Sequence, residues 1–188
     1  MSRRLLTKTG ACVVIALMGS ALHGCAARVD RKAKAALMQA VGDTTMTVFP
    51  AFVRRGRDDS YDHGAAARVA AFLQDEGLAT VTVSGDLVPL TGPWHRNQAR
   101  MLRESAVAFA DYVSEHPVDT AYALLPEYLG GRRAFGGVHC YIVDADNRVA
   151  YVFLQNSHWR IFQDVNPKTV DDCTEILIRV LRKDLAPH

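Results

Sequence analysis

Two apolar runs, residues 136–143 and Val149–Asn156, are separated only by Asp144-Ala145-Asp146-Asn147-Arg148. Turn-forming residues between two β-prone runs are hairpin chemistry. In the second run Val149, Tyr151 and Phe153 fall on one face and Ala150, Val152 and Leu154 on the other. Both faces are apolar, so this strand is expected to lie inside a sheet. An amphipathic helix must then follow: after Pro167, Thr169 caps it with Asp172 three residues on, a capping-box relative. Its Cys173, Ile176, Leu177, Val180 and Leu181 form a regular apolar stripe. A buried hairpin and a helix that must cover it exclude an all-helical chain and demand a helix-on-sheet core.

The preceding chain supplies the remaining elements. Thr45-Met46-Thr47-Val48-Phe49 is β-prone and predicts a first strand running to about Val53, followed by a polar loop, 54–60. A helix from about Asp62 carries Ala66, Val69, Phe72 and Leu73 on one face and stops at Gly77. Residues 78–83 make a second strand. A long helix is predicted from Pro93, with Trp94, Met101, Leu102, Ser105, Phe109, Tyr112 and Val113 at three- and four-residue steps. Residues 121–125 make a third strand, and the hairpin supplies the fourth and fifth. The order β-α-β-α-β-β-β-α reads as one α/β domain, residues 44–188, with a mixed five-stranded sheet and helices packed on it.

The N-terminus reads as an address. Residues 1–8 carry Arg3, Arg4 and Lys8 and no acid, and an apolar run follows from Ala11 to Leu22. That layout is a secretory signal, too short for a bilayer span of about 20 residues. Its exit, Leu22-His23-Gly24-Cys25, resembles the lipobox of bacterial lipoproteins, with His23 standing where a small or hydroxyl residue is usual. The alternative is an ordinary secretory signal with an incidental cysteine. The resemblance implies a signal peptide over residues 1–24, a lipid on Cys25 and a tether over 25–43. Ala26, where an Asp would favour inner-membrane retention, leaves the outer membrane as the expected destination. Ser2-Arg3-Arg4-Leu5-Leu6 also looks like a twin-arginine export signal. Each buried lipid methylene contributes about 0.8 kcal/mol, so two or more acyl chains hold a protein firmly.

Without residues 1–24, 164 of the 188 residues remain, one domain's worth of chain, and the 22 basic residues fall to 19 against 20 acidic. The basic balance of the whole chain belongs to the signal, which removes any charge argument for a nucleic-acid partner. Four cysteines are present; Cys12 leaves with the signal and Cys25 takes lipid, so Cys140 and Cys173 remain. Both face the same sheet–helix layer, and an even remainder in an exported domain predicts a disulfide between them. The alternative is two separate buried thiols.

Two further resemblances concern the mature domain. The β-α-β-α-β pattern from Val48 through Ala66–Leu73 to Tyr122-Ala123-Leu124-Leu125 looks like the small α/β domain of envelope lipoproteins. That domain recurs in the curli secretion lipoprotein, in lipoprotein activators of peptidoglycan synthases and at the N-terminus of the Tol translocation protein. It implies an assembly or binding role. Tyr112-Val113, His116-Pro117, Tyr122-Ala123-Leu124, Val138-His139, Gln155-Asn156-Ser157-His158, Pro167 and Asp171-Asp172-Cys173 together look like an exported bacterial family of unassigned activity.

One stretch is a candidate for chemistry. Asn156-Ser157-His158-Trp159 follows the end of a strand, where α/β proteins often place sites, and His139 lies on the neighbouring strand. A hydrolase would need a nucleophile, a base and an oxyanion hole in fixed geometry, and no nucleophile-elbow glycines surround Ser157. The structural alternative has Asn156 and Ser157 ending the strand while His158 and Trp159 pack the next loop, His158 being buried. His139, His158 and Asp164 lack compact metal-ligand spacing, so no metal is expected. Trp94, Asn97 and Arg100 open the long helix, where backbone N–H groups could hold an anion or simply sit beside solvated charges. No motif calls for a cofactor. The sequence thus favours a lipid-anchored periplasmic binding or assembly module acting on an envelope protein; a tethered hydrolase or small-ligand protein using His139, Asn156, Ser157 and His158 is the alternative.

Overall fold

The computed structural model describes residues 29–186 apart from 57 and 91–96. The signal segment, Cys25, Trp94 and the helix start proposed at Pro93 lie outside the described residues. Seven strands and five helices occur among the rest: α1 (Arg31–Ala40), β1 (Thr45–Val48), β2 (Ala51–Arg55), β3 (Asp58–Asp62), α2 (His63–Asp75), β4 (Thr80–Val83), α3 (Gln98–Glu115), β5 (Tyr122–Gly130), β6 (Phe135–Asp144), β7 (Val149–Asn156), α4 (Arg160–Val165) and α5 (Val170–Leu185). The α/β class and the mixed sheet stand as expected; the sheet has seven strands rather than five.

The two added strands have local causes. Pro50 splits the first strand, and β1 and β2 both run parallel to β5, with Val48 opposite Leu124 and Phe52 opposite Glu127. One extra residue sits on the split strand at that point. The break faces Pro126, which lacks an N–H to give a neighbour, so two prolines share one gap in the ladder. The stretch read as a polar loop is instead β3, which turns back antiparallel on β2 with Val53 opposite Ser60. Gly56 makes the turn at a φ of +69°.

β5 is the centre of the sheet. One side of it pairs with β1 and β2, which are extended by β4 and β3; the other pairs antiparallel with β6, and β6 with β7. The β6–β7 hairpin is closed as its sequence predicts: Asp144 Oδ1 accepts the N–H groups of Asp146 and Arg148 at 3.1 and 2.9 Å, and Asn147 takes a φ of +60°. β7, however, has no second strand beside it among the described residues, so the expectation that it lies inside the sheet is corrected. Its two apolar faces are covered by helices, not flanked by strands. Tyr151 and Phe153 join the core under α1, α2 and α5, while Val149 and Val152 join the core under α3.

The segment expected as a tether contains α1, capped by Asp30, with Ala33 and Leu37 fully buried against the main core. The Asp30 N–H donates to the Val149 carbonyl at 2.8 Å, which fastens α1 to the start of β7. α5 carries a complete capping box between Thr169 and Asp172 and buries the predicted stripe. The expected Cys140–Cys173 bridge is also corrected: both thiols are free and buried. They lie in one core as the stripe and strand faces require. The Tyr128 hydroxyl, hydrogen-bonded to Thr174 at 3.0 Å, lies within electrostatic reach of both sulfurs. Burial pushes both thiols well above their ordinary range, so they behave as small apolar side chains.

Candidate functional site

The residues singled out from sequence separate into two places. His139 sits in the middle of β6, fully buried beneath α3, and directly opposite Glu127 on β5. Its Nδ1 lies 2.9 Å from Glu127 Oε2 and 3.1 Å from the Tyr141 hydroxyl. Tyr141 donates to the same carboxyl oxygen, and Ser105 on α3 donates to the other at 3.3 Å. Burial, then the neighbouring carboxyl, hold the Tyr141 hydroxyl far above its normal ionisation range. His139 Nε2 has no hydrogen-bond partner among the described residues. Four polar side chains thus close on one another in an otherwise apolar layer. Ser105 bonds to the carboxyl and not to the imidazole, so the set lacks the nucleophile-to-base contact of an acyl-transfer site.

The second place is the end of β7. Asn156 Nδ2 donates to Gln98 Oε1 at 3.0 Å, and Gln98 Nε2 donates to the Gly136 carbonyl at 3.0 Å, which ties the start of α3 to β6 and β7. Asn156 Oδ1 accepts the His158 N–H at 3.0 Å and so shapes the turn after the strand. Ser157 offers its carbonyl to Gln163 at 2.7 Å. Asn97, Gln98, Asn156, Ser157 and His158 line one open depression of about 340 Å³ with Leu154 as its floor. Two candidate groups distant in sequence therefore meet, as only the fold could arrange. Within that groove Asn97 is spent as the N-cap of α3, its Oδ1 accepting the Arg100 N–H at 3.1 Å. The Arg100 guanidinium pairs with Glu104 at 2.7 Å. Asn97 thus takes one of the helix-start N–H groups with its own side chain, while Trp94 lies outside the described residues.

His158 is exposed, which corrects the expectation that it packs into the following loop as a buried group. Trp159 is 53% exposed and so does not pack that loop either. Asp164 is exposed and faces Arg160 at 3.7 Å, while His139 is enclosed in the sheet, so these three residues assemble no ligand set. Sequence reading missed Glu127 and Gln98. A lone carboxylate in the apolar run Tyr122-Ala123-Leu124-Leu125-Pro126-Glu127-Tyr128 was the available signal for the first. Nothing in the sequence marks Gln98.

No family model matches the chain, and no curated protein does. Among solved structures it is similar to a dodecamer of a PelC point variant from Paraburkholderia phytofirmans, at 14% identity and a TM-score of 0.40 over 76% of this chain and 89% of that one. It is also similar to the LpoB C-terminal domain from Salmonella enterica, at 12% identity and a TM-score of 0.36 over 66% and 91%. The E. coli LpoB structure follows at 11% identity and a TM-score of 0.35 over 83% and 82%. At these values the likeness is one of outline. No helix among the described residues is long and apolar enough to cross a membrane.

Proposed function

We propose that this chain is a non-enzymatic binding or assembly module of the bacterial cell envelope. It is held by lipid on Cys25 at the periplasmic face of the outer membrane and acts on a periplasmic protein. The anchor part rests on the basic, apolar and Leu22–Cys25 pattern of the N-terminus. The observation that carries the rest is how the candidate side chains are used. His139 is buried and held by Glu127 and Tyr141, Asn97 caps a helix, and Asn156 ties α3 to the turn after β7. Each has a structural task, and what they build is a rigid strand end with an open surface around it. A rigid strand with solvent on one edge suits recognition.

The test is complementation of a deletion strain, combined with labelling by a fatty-acid analogue. Wild type incorporates the label and restores the phenotype. Cys25→Ser loses the label and, released from the membrane, fails to restore it. Ser157→Ala and His158→Ala, both at exposed positions, restore it fully. Retained label in Cys25→Ser refutes the anchor. Loss of complementation by a folded Ser157→Ala or His158→Ala protein refutes the non-enzymatic reading.

A further inference from the structure

Among the described residues three strands have an edge with no partner strand, and the chain treats them differently. β3 is guarded by Asp58, Asp59 and Asp62, and β4 has only four residues. Charges and shortness are the usual devices that keep an edge from pairing with another chain. β7 has neither. It is eight residues long, Val149 to Asn156, and none of them is charged. Among the described residues the backbone bonds that β7 makes outside its pairing with β6 lie at its two ends, from Asp30 to the Val149 carbonyl and from Trp159 to the Asn156 carbonyl. Between those ends no backbone partner other than β6 occurs among the described residues, and an unpaired strand edge can template a further strand.

A groove runs beside that edge on the α5 side. Two neighbouring depressions of about 590 and 440 Å³, with Lys183 and Asp184 lining both, make a trough beside the strand. Its wall is apolar, from Met38 and Tyr151 at one end through Phe153 to Val180 and Ile161 at the other. Its charge leans positive. Lys34 and Lys183 stand on the rim beside Arg160, which faces Asp164 at 3.7 Å, and Asp184 accepts a hydrogen bond from the Tyr151 hydroxyl at 2.7 Å. Lys34 and Lys183 have no ion-pair partner among the described residues. Gln155 lines the trough and is 9% exposed, and its enclosed Oε1 has no hydrogen-bond partner among the described residues.

We propose that the free edge of β7 is a docking strand that takes an extended, acidic peptide segment of a partner protein, added to the sheet backbone to backbone. This rests on the binding-module reading and names the chemistry of the partner. The incoming strand pairs with the backbone of the β7 edge, alternate side chains enter the trough, and its carboxylates meet Lys34 and Lys183. Eight extended residues cover about 26 Å, the length of β7 itself.

The probe is a fluorescent octapeptide alternating Glu and Val, titrated against the full chain by anisotropy. Its controls are a Lys–Val counterpart and a version N-methylated at alternate residues. The proposal expects saturable binding by the Glu peptide, weakened about tenfold or more by Lys34→Glu/Lys183→Glu. It also expects no binding by the N-methylated peptide and slowed amide exchange on β7. Equal binding by the Lys peptide overturns the charge argument. Indifference to N-methylation, or protection on β4 instead of β7, overturns the strand-addition argument. A chain that instead pairs β7 with β7 of a second copy in sedimentation, excluding the peptide, also overturns it. The complementation test with Cys25→Ser is independent, so a failed peptide titration beside a successful complementation removes this proposal alone.

Discussion

Replacing His139 by leucine leaves the Glu127 carboxyl under α3 with Tyr141 and Ser105 as its only donors. Both carboxyl and imidazole are fully buried, so water cannot make good the loss. Removing one member of a buried hydrogen-bonded pair costs about 3 kcal/mol, the upper end for leaving a buried polar group without its partner. A chain of this size loses roughly 2–4 °C of Tm per kcal/mol, so His139→Leu should melt about 10 °C lower by circular dichroism. The triple variant Glu127→Leu/His139→Leu/Tyr141→Phe removes the carboxyl together with both of its buried ring partners. It leaves Ser105, which lies on α3 at the margin of the cluster, to bond elsewhere. Apolar replacement of a whole buried polar set is often neutral, so the triple variant should recover most of the loss, a non-additivity of several kcal/mol. The reasoning is refuted if His139→Leu costs under about 1 kcal/mol. It is equally refuted if the triple variant is as unstable as the single losses added together.

Four further outcomes follow from the same structure. His158→Ala should melt within about 0.5 kcal/mol of wild type, because the side chain is exposed and only its backbone N–H is bonded; a drop beyond about 1 kcal/mol in a denaturant titration contradicts this. Cys140 and Cys173 should resist alkylation in the folded protein and react fully in denaturant, and the intact mass should carry no two-hydrogen deficit between them; rapid native labelling of either thiol would disprove their enclosure. The N–H groups of Lys168 and Thr169 hold the Asp172 carboxyl below its ordinary range. Because its folded value is depressed, its contribution is present above about pH 4 and lost as pH falls through the folded value, so Asp172→Asn should flatten the acid limb of the stability profile. Thr169→Ala, which removes the other half of the box, should cost about 1 kcal/mol at neutral pH.

Local chemistry and periodicity made much of the fold legible in the amino-acid sequence. The stripe on α5, its Thr169–Asp172 cap, the Asp144–Arg148 turn and the order of the main helices and strands each depend on residues close in the chain. Such signals survive reading in one dimension. The α1 cap at Asp30 and the β2–β3 hairpin were present in the same way but weak, one inside an Ala/Lys-rich stretch and the other inside a run of charges. What only the tertiary structure decided concerns partners far apart in sequence. Apolar faces on β7 told that it is covered above and below, but hydrogen-bonding edges point sideways, at right angles to the side chains, and leave no trace in hydropathy. Whether a strand is central or outermost is therefore invisible in its own residues. The same limit applies to Glu127, His139 and Ser105, which meet only because β5, β6 and α3 are stacked. It applies also to the two cysteines, which share a layer by pattern yet stay free thiols once β5, β6 and α5 are packed.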